Sequence, residues 1–228
     1  MTSDQKAGLA VLTGDLIGYT EWPQAKRGLA FDALRNAAAH IGRWPCADGS
    51  SHLERVRGDG WQFALVAPHY ALRVALTFRA ALRGAEAEFG APKRPPPDLD
   101  TRIAIGLGPA ANFDPERLAD ADSEAFVLSG RGLDAMDEAP GIRLLSSGDP
   151  SREFLLESAL VRMCDAISRH WTARQAAVMR LALAPGRHRR EALAEQLGIL
   201  RQSVEGHLIA AQAEALSIAL EEIEQQLA

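Results

Sequence analysis

Two aspartates lie where the chain predicts turns, and their carboxylates are well placed to bind a metal ion. Asp15 follows the apolar run 9–13, and Asp59 stands between two glycines in a segment that predicts a hairpin turn. If that hairpin pairs beside the first strand, both carboxylates reach one rim of the sheet. Carboxylate oxygens are preferred ligands of Mg²⁺, which also binds phosphate oxygens. The pattern therefore predicts a metal and phosphate site with Asp15 and Asp59 as ligands.

The residues that follow Asp15 are candidates for binding the phosphate itself. Gly18, Tyr19 and Thr20 begin a turn towards the first long helix, whose free N–H groups attract anions. A simpler interpretation is also open, because Gly-Asp and Gly-Asp-Gly are common turn sequences that need no ligand.

A second set of candidate residues lies near the C-terminus, where the pattern predicts three short helices. Thr172 is a suitable N-cap for a helix over 173–183, and residues 190–196 predict a second helix. Gly198 supplies a tight turn before a third helix over 202–211. With apolar residues at 194, 204 and 208, this spacing resembles the helix-turn-helix of many bacterial transcription regulators and sigma-like factors.

In that arrangement the start of the third helix enters the major groove of double-stranded DNA. The candidates for base or phosphate contact on this helix are Arg201, Gln202, Ser203, Glu205 and His207. Residues 174–201 contain six arginines and two glutamates, a net charge of +4, and the phosphate-binding candidates among them are Arg187, Arg189 and Arg190. The alternative is a helical dimerisation module with solvated arginines, since a glutamate at 205 is unfavourable next to DNA.

The elements that must position these residues alternate between strands and helices. Apolar and β-branched runs predict strands over 9–13, 52–57, 61–66, 101–107 and 142–146, and helical spacing predicts helices over 25–41, 70–89 and 126–136. This order predicts an α+β domain over residues 1–150, a ferredoxin-like sandwich of a mixed sheet with helices on its faces. Residues 151–228 predict helices alone, beginning with a connecting helix over 152–170.

The last segment carries a heptad-like apolar seam. Its members recur at intervals of three and four residues and are Ile209, Ala213, Leu216, Leu220, Ile223 and Leu227. The seam either pairs two chains, which places two recognition helices on one duplex, or packs back on its own chain. We favour the pairing and therefore expect a homodimer.

Composition limits the classes of function. The chain has 228 residues and a formal net charge of -5, so any contact with DNA must come from a local basic surface. Two distant cysteines and six histidines show no metal-ligand spacing, which argues against a zinc site. No run approaches the roughly 20 apolar residues that span a bilayer, and no signal-peptide pattern precedes the first strand. We expect a cytoplasmic protein without a membrane partner.

Four segments resemble, in the same order, motifs of class III nucleotidyl cyclase catalytic domains. GDLIGYT at 14–20 resembles the first metal motif, and RVRGDGWQF at 55–63 resembles the second hairpin motif. RIAIGLG at 102–108 resembles the strand that follows, and FVLSGRGLDAM at 126–136 resembles the ribose and arginine helix. The likeness covers roughly residues 7–148 and implies a cyclase-like fold for this part of the chain.

The resemblance also implies roles for individual residues. Asp15 and Asp59 match the metal-binding aspartates, Arg55 matches the purine-selecting lysine, and Arg131 matches the arginine that stabilises the charged transition state. Val127 departs from the family, because it occupies the position of the asparagine that orients the ribose. Loss of that polar group removes positioning of the attacking 3′-hydroxyl, which is worth several kcal/mol of barrier. We therefore expect a degenerate domain.

LSGRGLDAM and the appended helices are also similar to the SatD-like group of bacterial proteins, in which a cyclase-like fold precedes a DNA-binding segment. The expected function is a DNA-binding transcription regulator whose cyclase-like domain senses a purine nucleotide or serves as a dimer scaffold. Two alternatives stay open: a purine nucleotidyl cyclase that uses Mg²⁺ or Mn²⁺, and a catalytically inactive protein-interaction module.

Overall fold

The structure, a computed structural model, describes residues 8–47, 50, 52–87, 89, 97–110, 113–115, 123–147, 151–186 and 188–227. Within those residues, one sheet contains five strands: β1 (Gly8–Leu16), β2 (Glu54–Arg55), β3 (Gly60–Leu65), β4 (Thr101–Pro109) and β5 (Gly141–Leu145). Their order in the sheet is β2-β3-β1-β4-β5. β4 and β5 pair in parallel, and the other neighbours pair antiparallel.

Eight α-helices are found in the same described residues: α1 (Gln24–Ile41), α2 (Ala71–Gly84), α3 (Glu124–Asp134), α4 (Arg152–Ser168), α5 (Ala173–Ala182), α6 (Arg190–Leu197), α7 (Arg201–Ala210) and α8 (Ala213–Leu227). The predicted α+β class, with a mixed sheet and helices alone after residue 151, is confirmed. Among the helices that are described, none combines the length and the apolar character needed to cross a bilayer.

β1 lies at the centre of the sheet and is buried on both faces. Ala10 and Leu12 pack into the core formed with α1 and α2, whereas Leu9 and Val11 pack with Ala125 of α3 on the other face. This alternation follows from the two-residue period of a strand. A strand covered on both faces has an almost continuous apolar sequence, which is why residues 9–13 predicted it correctly.

The structure differs from the sequence prediction in several details. β1 extends to Leu16, because β3 and β4 continue to pair with it on both sides, so Asp15 lies within the strand and not beyond it. α2 ends at Gly84 and not near residue 89. The positive φ of the hairpin turn belongs to Gly58, at +66°, and not to the glycine after Asp59. β2 is limited to two residues.

α2 is the central helix of the molecule, and all its residues from 71 to 83 are buried. Its end packs closely on α5, because a Cβ atom added at Gly84 would lie 2.7 Å from the backbone nitrogen of Ala177. The sequence spaces its arginines along one side of this helix. The structure buries Arg73, Arg79 and Arg83, because each is paired with a polar group of another element.

Arg79 connects the sheet with the helices that follow it. Its guanidinium donates to Asp100 at 3.2 Å, to Asp165 of α4 at 2.5 Å and to the Ser168 hydroxyl at 2.9 Å. Arg83 donates to the second oxygen of Asp100 at 2.5 Å. Two buried guanidinium groups thus share the Asp100 carboxylate, directly before β4. Through Asp165, the same network holds α4 against α2.

Arg73 connects α2 with the last helix. It donates to both carboxylate oxygens of Glu224, at 2.5 and 2.8 Å, and to the Leu183 carbonyl at 3.0 Å. One hydrophobic core contains residues from both sides of position 150. The division into domains 1–150 and 151–228 stays a prediction, and the two parts share a buried interface.

The apolar seam near the C-terminus packs mainly on its own chain. Leu216, Leu220 and Ile223 are buried without a second copy, whereas Ile209 is 71% exposed. For these three residues the structure favours the second alternative, packing of the seam on its own chain, and the homodimer stays a prediction. The Arg73–Glu224 ion pair helps to hold this part of α8 on its own chain.

Replacement of Arg79 by methionine should strongly destabilise the fold. The change leaves Asp100 and Asp165 buried with less compensation, and removal of one partner from a buried ion pair typically costs about 3–5 kcal/mol. Urea unfolding monitored by circular dichroism measures the difference. The matched control is Arg35→Met, an exposed arginine paired with Asp32, for which we expect a change within about 0.5 kcal/mol. A loss below about 1 kcal/mol in Arg79→Met would contradict this role.

Candidate functional site

The sheet brings the two predicted metal-binding aspartates to the same end. Asp15 pairs with Gly60 across β1 and β3, and the backbone nitrogen of Leu16 donates to the Asp59 carbonyl at 3.3 Å. The hairpin therefore lies beside the first strand, as the sequence predicted. This pairing places the two residues side by side along the backbone, and the geometry of their side chains decides what they can bind.

The Asp15 carboxylate is occupied by an arginine of the next strand. Arg102 stands opposite Asp15 on β4 and donates from Nε to Oδ1 at 2.9 Å and from Nη2 to Oδ2. The remaining Nη1 donates to the carbonyls of Met136 and Asp137, at 2.9 and 3.0 Å, just after α3. Asp15 thus fixes a guanidinium that joins the sheet to the end of α3.

Several acids surround this guanidinium. The hydrogen bonds that Arg102 donates to Asp15 are the main cause that raises the pKa of Arg102, and the negative charges of Asp15, Glu138 and Asp59 raise it further against the opposing effect of burial. Asp59 therefore contributes to an acidic rim. The positive charge at the centre of that rim is supplied by the chain's own Arg102.

This arrangement does not fit a divalent cation at Asp15. Mg²⁺ requires oxygen ligands in near-octahedral geometry, and both oxygens of this carboxylate bind Arg102. Across the described parts of the chain, no three acids, histidines or cysteines come together as a metal-binding group. The Mg²⁺ or Mn²⁺ site stays a prediction that would require Arg102 to move.

The predicted phosphate turn is present, but it is separated from α1. Gly18 has a φ of +74° and precedes a one-turn 3-10 helix over Tyr19–Glu21, whereas α1 begins only at Gln24. The Thr20 carbonyl accepts a hydrogen bond from Arg27 at 2.8 Å. A hydrogen bond from Arg27 therefore connects the 3-10 turn to the first turn of α1.

Arg55 lies on the opposite face of the sheet from the Asp15 carboxylate. Its guanidinium donates to the Tyr19 hydroxyl at 2.7 Å and to the Gly58 carbonyl at 2.7 Å, and it stacks on Phe31 of α1 at 4.1 Å. Arg102, by contrast, bonds at the end of α3 on the other face. The structure therefore does not combine Arg55 and Asp15 into one pocket.

Arg131 and Val127 lie one turn apart on α3, and both are exposed. The buried residues of this helix are Ala125, Ser129 and Gly132, and the Ser129 hydroxyl bonds to that of Thr13 at 2.7 Å. Arg131 is thus on the exposed side of α3. The structure does not bring it to the acidic rim.

The three C-terminal helices form as the sequence predicted. Thr172 caps α5 in a capping box, with its hydroxyl accepting from the Gln175 nitrogen at 3.3 Å and its nitrogen donating to the Gln175 side chain at 2.8 Å. Gly198 ends α6 in the left-handed conformation, with a φ of +63°. Val204 and Leu208 are buried and form the inner side of α7.

The first turn of α7 faces solvent. Arg201, Gln202 and Ser203 are all exposed, whereas Leu208, seven residues after Arg201, lies on the buried side of the helix. Arg189, directly before α6, is also exposed. Arg187 lies outside the described residues.

Two of the predicted DNA-binding arginines form ion pairs that join α6 to α7. Arg190 donates to Glu205 at 2.5 Å, and Arg201 lies 3.7 Å from Glu191. All four side chains are between 43% and 61% exposed, so each pair contributes at most about 1 kcal/mol. The arginines can therefore exchange these partners for phosphates at small cost.

His207, predicted as a DNA contact, is half-buried. Its ring packs edge-on against Phe89 with centroids 5.8 Å apart, and burial, aided by the charge of Arg174, lowers its pKa. A histidine whose pKa falls below 6.5 is neutral at pH 7. His207 therefore supports the packing of α7 and supplies no positive charge for phosphate.

No protein-family model, curated protein or solved structure matches this chain.

A double-mutant cycle measures the bond between Arg102 and Asp15. Because both residues are largely buried and form two charge-assisted hydrogen bonds, we expect a coupling free energy of about 1.5–3 kcal/mol. The measurement is urea unfolding of Arg102→Met, Asp15→Asn and the double variant. Glu138→Gln is the control, since it removes a nearby acid that acts only through its charge. A coupling energy near zero would show that the pair does not fix the rim.

Proposed function

We propose that this protein is a DNA-binding transcription regulator in which α5, α6 and α7 form a helix-turn-helix. The observation that carries the proposal is the first turn of α7. Arg201, Gln202 and Ser203 are exposed there, separated by two residues from the left-handed Gly198, on a helix whose other side is anchored in the core. Such a regulator acts on the chromosome of a bacterial cell, in its cytoplasm.

The chemistry of this turn suits a DNA duplex. Arginine binds the O6 and N7 atoms of guanine with two hydrogen bonds, and glutamine binds the N6 and N7 atoms of adenine in the same manner. The free N–H groups at the start of α7 favour a phosphate. Arg189 and Arg190 stand at the start of α6, where the first helix of such a motif crosses the DNA backbone.

The glutamates of α6 and α7 are compatible with this interface. Glu205 pairs with Arg190 on the surface of the free protein, which neutralises part of the local charge. When Arg190 binds a phosphate, Glu205 is released and can accept a hydrogen bond from the amino group of cytosine. The acid thus contributes to base preference and reduces binding to duplexes that lack such a donor.

We further propose that residues 1–150 form a degenerate cyclase-like domain that serves as a scaffold for these helices. The order β4-β1-β3-β2, with α1 and α2 packed on one face, supports this because it is the order of a ferredoxin-like split βαβ unit. The bonds from Arg102 to Asp15, and the position of Arg55 on the other face, favour a scaffold over a nucleotide sensor or an enzyme.

Two sets of variants test DNA binding. Arg201→Ala should weaken binding to a preferred duplex by about 1–3 kcal/mol and relax the preference at one base position. The joint change Arg189→Ala with Arg190→Ala should weaken binding to all duplexes and reduce the salt dependence, because phosphate contacts release counterions. Fluorescence anisotropy at several salt concentrations measures both effects.

The control for these variants is Arg35→Ala, an exposed arginine on α1 far along the chain from the helical segment. It should bind DNA like the wild type. If Arg201→Ala and the joint variant also bind like the wild type at every salt concentration, α7 is not a recognition helix.

A turnover assay separates the scaffold from the alternative of a metal-dependent purine nucleotidyl cyclase. We expect no pyrophosphate release from ATP or GTP with Mg²⁺ or Mn²⁺, because Arg102 occupies Asp15. Asp59→Ala should behave like the wild type in the same assay. Pyrophosphate release by the wild type that Asp59→Ala abolishes would refute the scaffold and support the enzyme.

A further inference from the structure

α4 exposes an apolar surface that the described part of its own chain leaves uncovered. Leu155, Leu156 and Met163 are 56%, 63% and 65% exposed, which is unusual for large apolar side chains that share one helix. Together with the exposed Ala159, they lie on one side of α4, because Ala159 is four residues from Leu155, three from Leu156 and four from Met163; this side is here termed the α4 face. Contiguous apolar patches of this kind mark interaction sites.

The charges on the α4 face are positive. Arg152 and Arg162 are exposed on the same side of the helix as Leu155 and Ala159. Neither arginine forms an ion pair with any residue that the structure describes. The α4 face therefore suits a partner with apolar residues flanked by acids.

The outer side of α8 has this complementary composition. Ile218 is 52% exposed, and it is flanked by the exposed acids Glu214, Glu221 and Glu222. These four residues, here termed the α8 face, lie opposite the seam that packs on the chain. In the described part of the chain the three acids form no ion pair either.

We propose that a second copy of this chain covers both surfaces, with the α4 face of each copy packed against the α8 face of the other. α4 and α8 are in contact within one chain. A two-fold axis can therefore form both contacts at once and close the assembly at a dimer. The apolar residues are buried on dimerisation, and the two arginines of each copy meet the acids of its partner.

Charge also decides between this pairing and its competitors. Contact between two α4 faces would place Arg152 and Arg162 against arginines, and contact between two α8 faces would place glutamates against glutamates. Like charges brought together at an interface cost several kcal/mol, whereas opposite charges favour the cross-pairing. This dimer differs from pairing through the seam, whose residues are already buried, and it does not depend on DNA binding.

Sedimentation equilibrium of the full chain tests the dimer without DNA. We expect twice the chain mass at micromolar concentration and the mass of one chain for Leu156→Glu, because the charge would be buried against Ile218. The matched control is Ile209→Glu, at a site that is 71% exposed but lies on α7, and it should remain a dimer. Circular dichroism establishes that each variant keeps its helices.

A charge exchange identifies the two faces. Arg162→Glu should weaken self-association at least about tenfold, and so should the joint change Glu221→Arg with Glu222→Arg, because each brings like charges together. An equimolar mixture of the two variants should regain the dimer, since each variant then meets the opposite charge.

Three results would overturn the proposal. They are a monomeric wild type over the micromolar range, a dimer that Leu156→Glu leaves intact, and a mixture of charge variants that regains no dimer.

Discussion

The structure depends on the burial of arginine side chains within α2. Arg79 is fully buried and binds Asp100, Asp165 and Ser168, so one guanidinium joins the start of β4 to α4. Arg73 adds the link to α8 through Glu224. Buried charges are tolerated only when they are paired and hydrogen-bonded, so the sheet and the C-terminal helices must keep one relative arrangement for these bonds to form. The position of α7 follows from this constraint.

Much of the fold was accessible from the sequence, because it is encoded in local patterns. The apolar run of β1, the spacing of α1 and the Thr172 cap each predicted an element that the structure confirms. Gly198 likewise predicted the left-handed turn that it forms. Signals of this kind depend on residues that are close in sequence, so they can be recognised without knowledge of the tertiary structure.

The candidate site was harder to predict, because its chemistry depends on strand register and on sheet faces. The resemblance to cyclases matched the segment that contains Arg102 but gave no reason to place this side chain opposite Asp15. Only the register of β1 and β4 does so. The registers of β3 with β1 and with β2 separate Arg55 from Asp15, because they align Arg55 with Gly14 and adjacent residues of a strand face opposite sides. The arginines of α2 were missed for a related reason, because their partners are 17 to 151 residues distant in sequence.

The proposed function combines a scaffold with an exposed helix start. The bonds of Arg102 tie the acidic rim to the end of α3, and the buried pairs of α2 hold the C-terminal helices against the sheet. In that proposal, the polar residues at the start of α7 and the exposed arginines before and within α6 form the surface that meets the duplex. DNA binding then requires only exposed surface pairs to exchange partners.

The central claim is that the first turn of α7 recognises base sequence. Selection of bound duplexes from a random pool, carried out in parallel with the wild type and with Gln202→Ala, tests it most directly. The account predicts an enriched sequence for the wild type and loss of preference at one base position for the variant. Absence of any enriched sequence, or the same sequence with unchanged preference for both proteins, would contradict it.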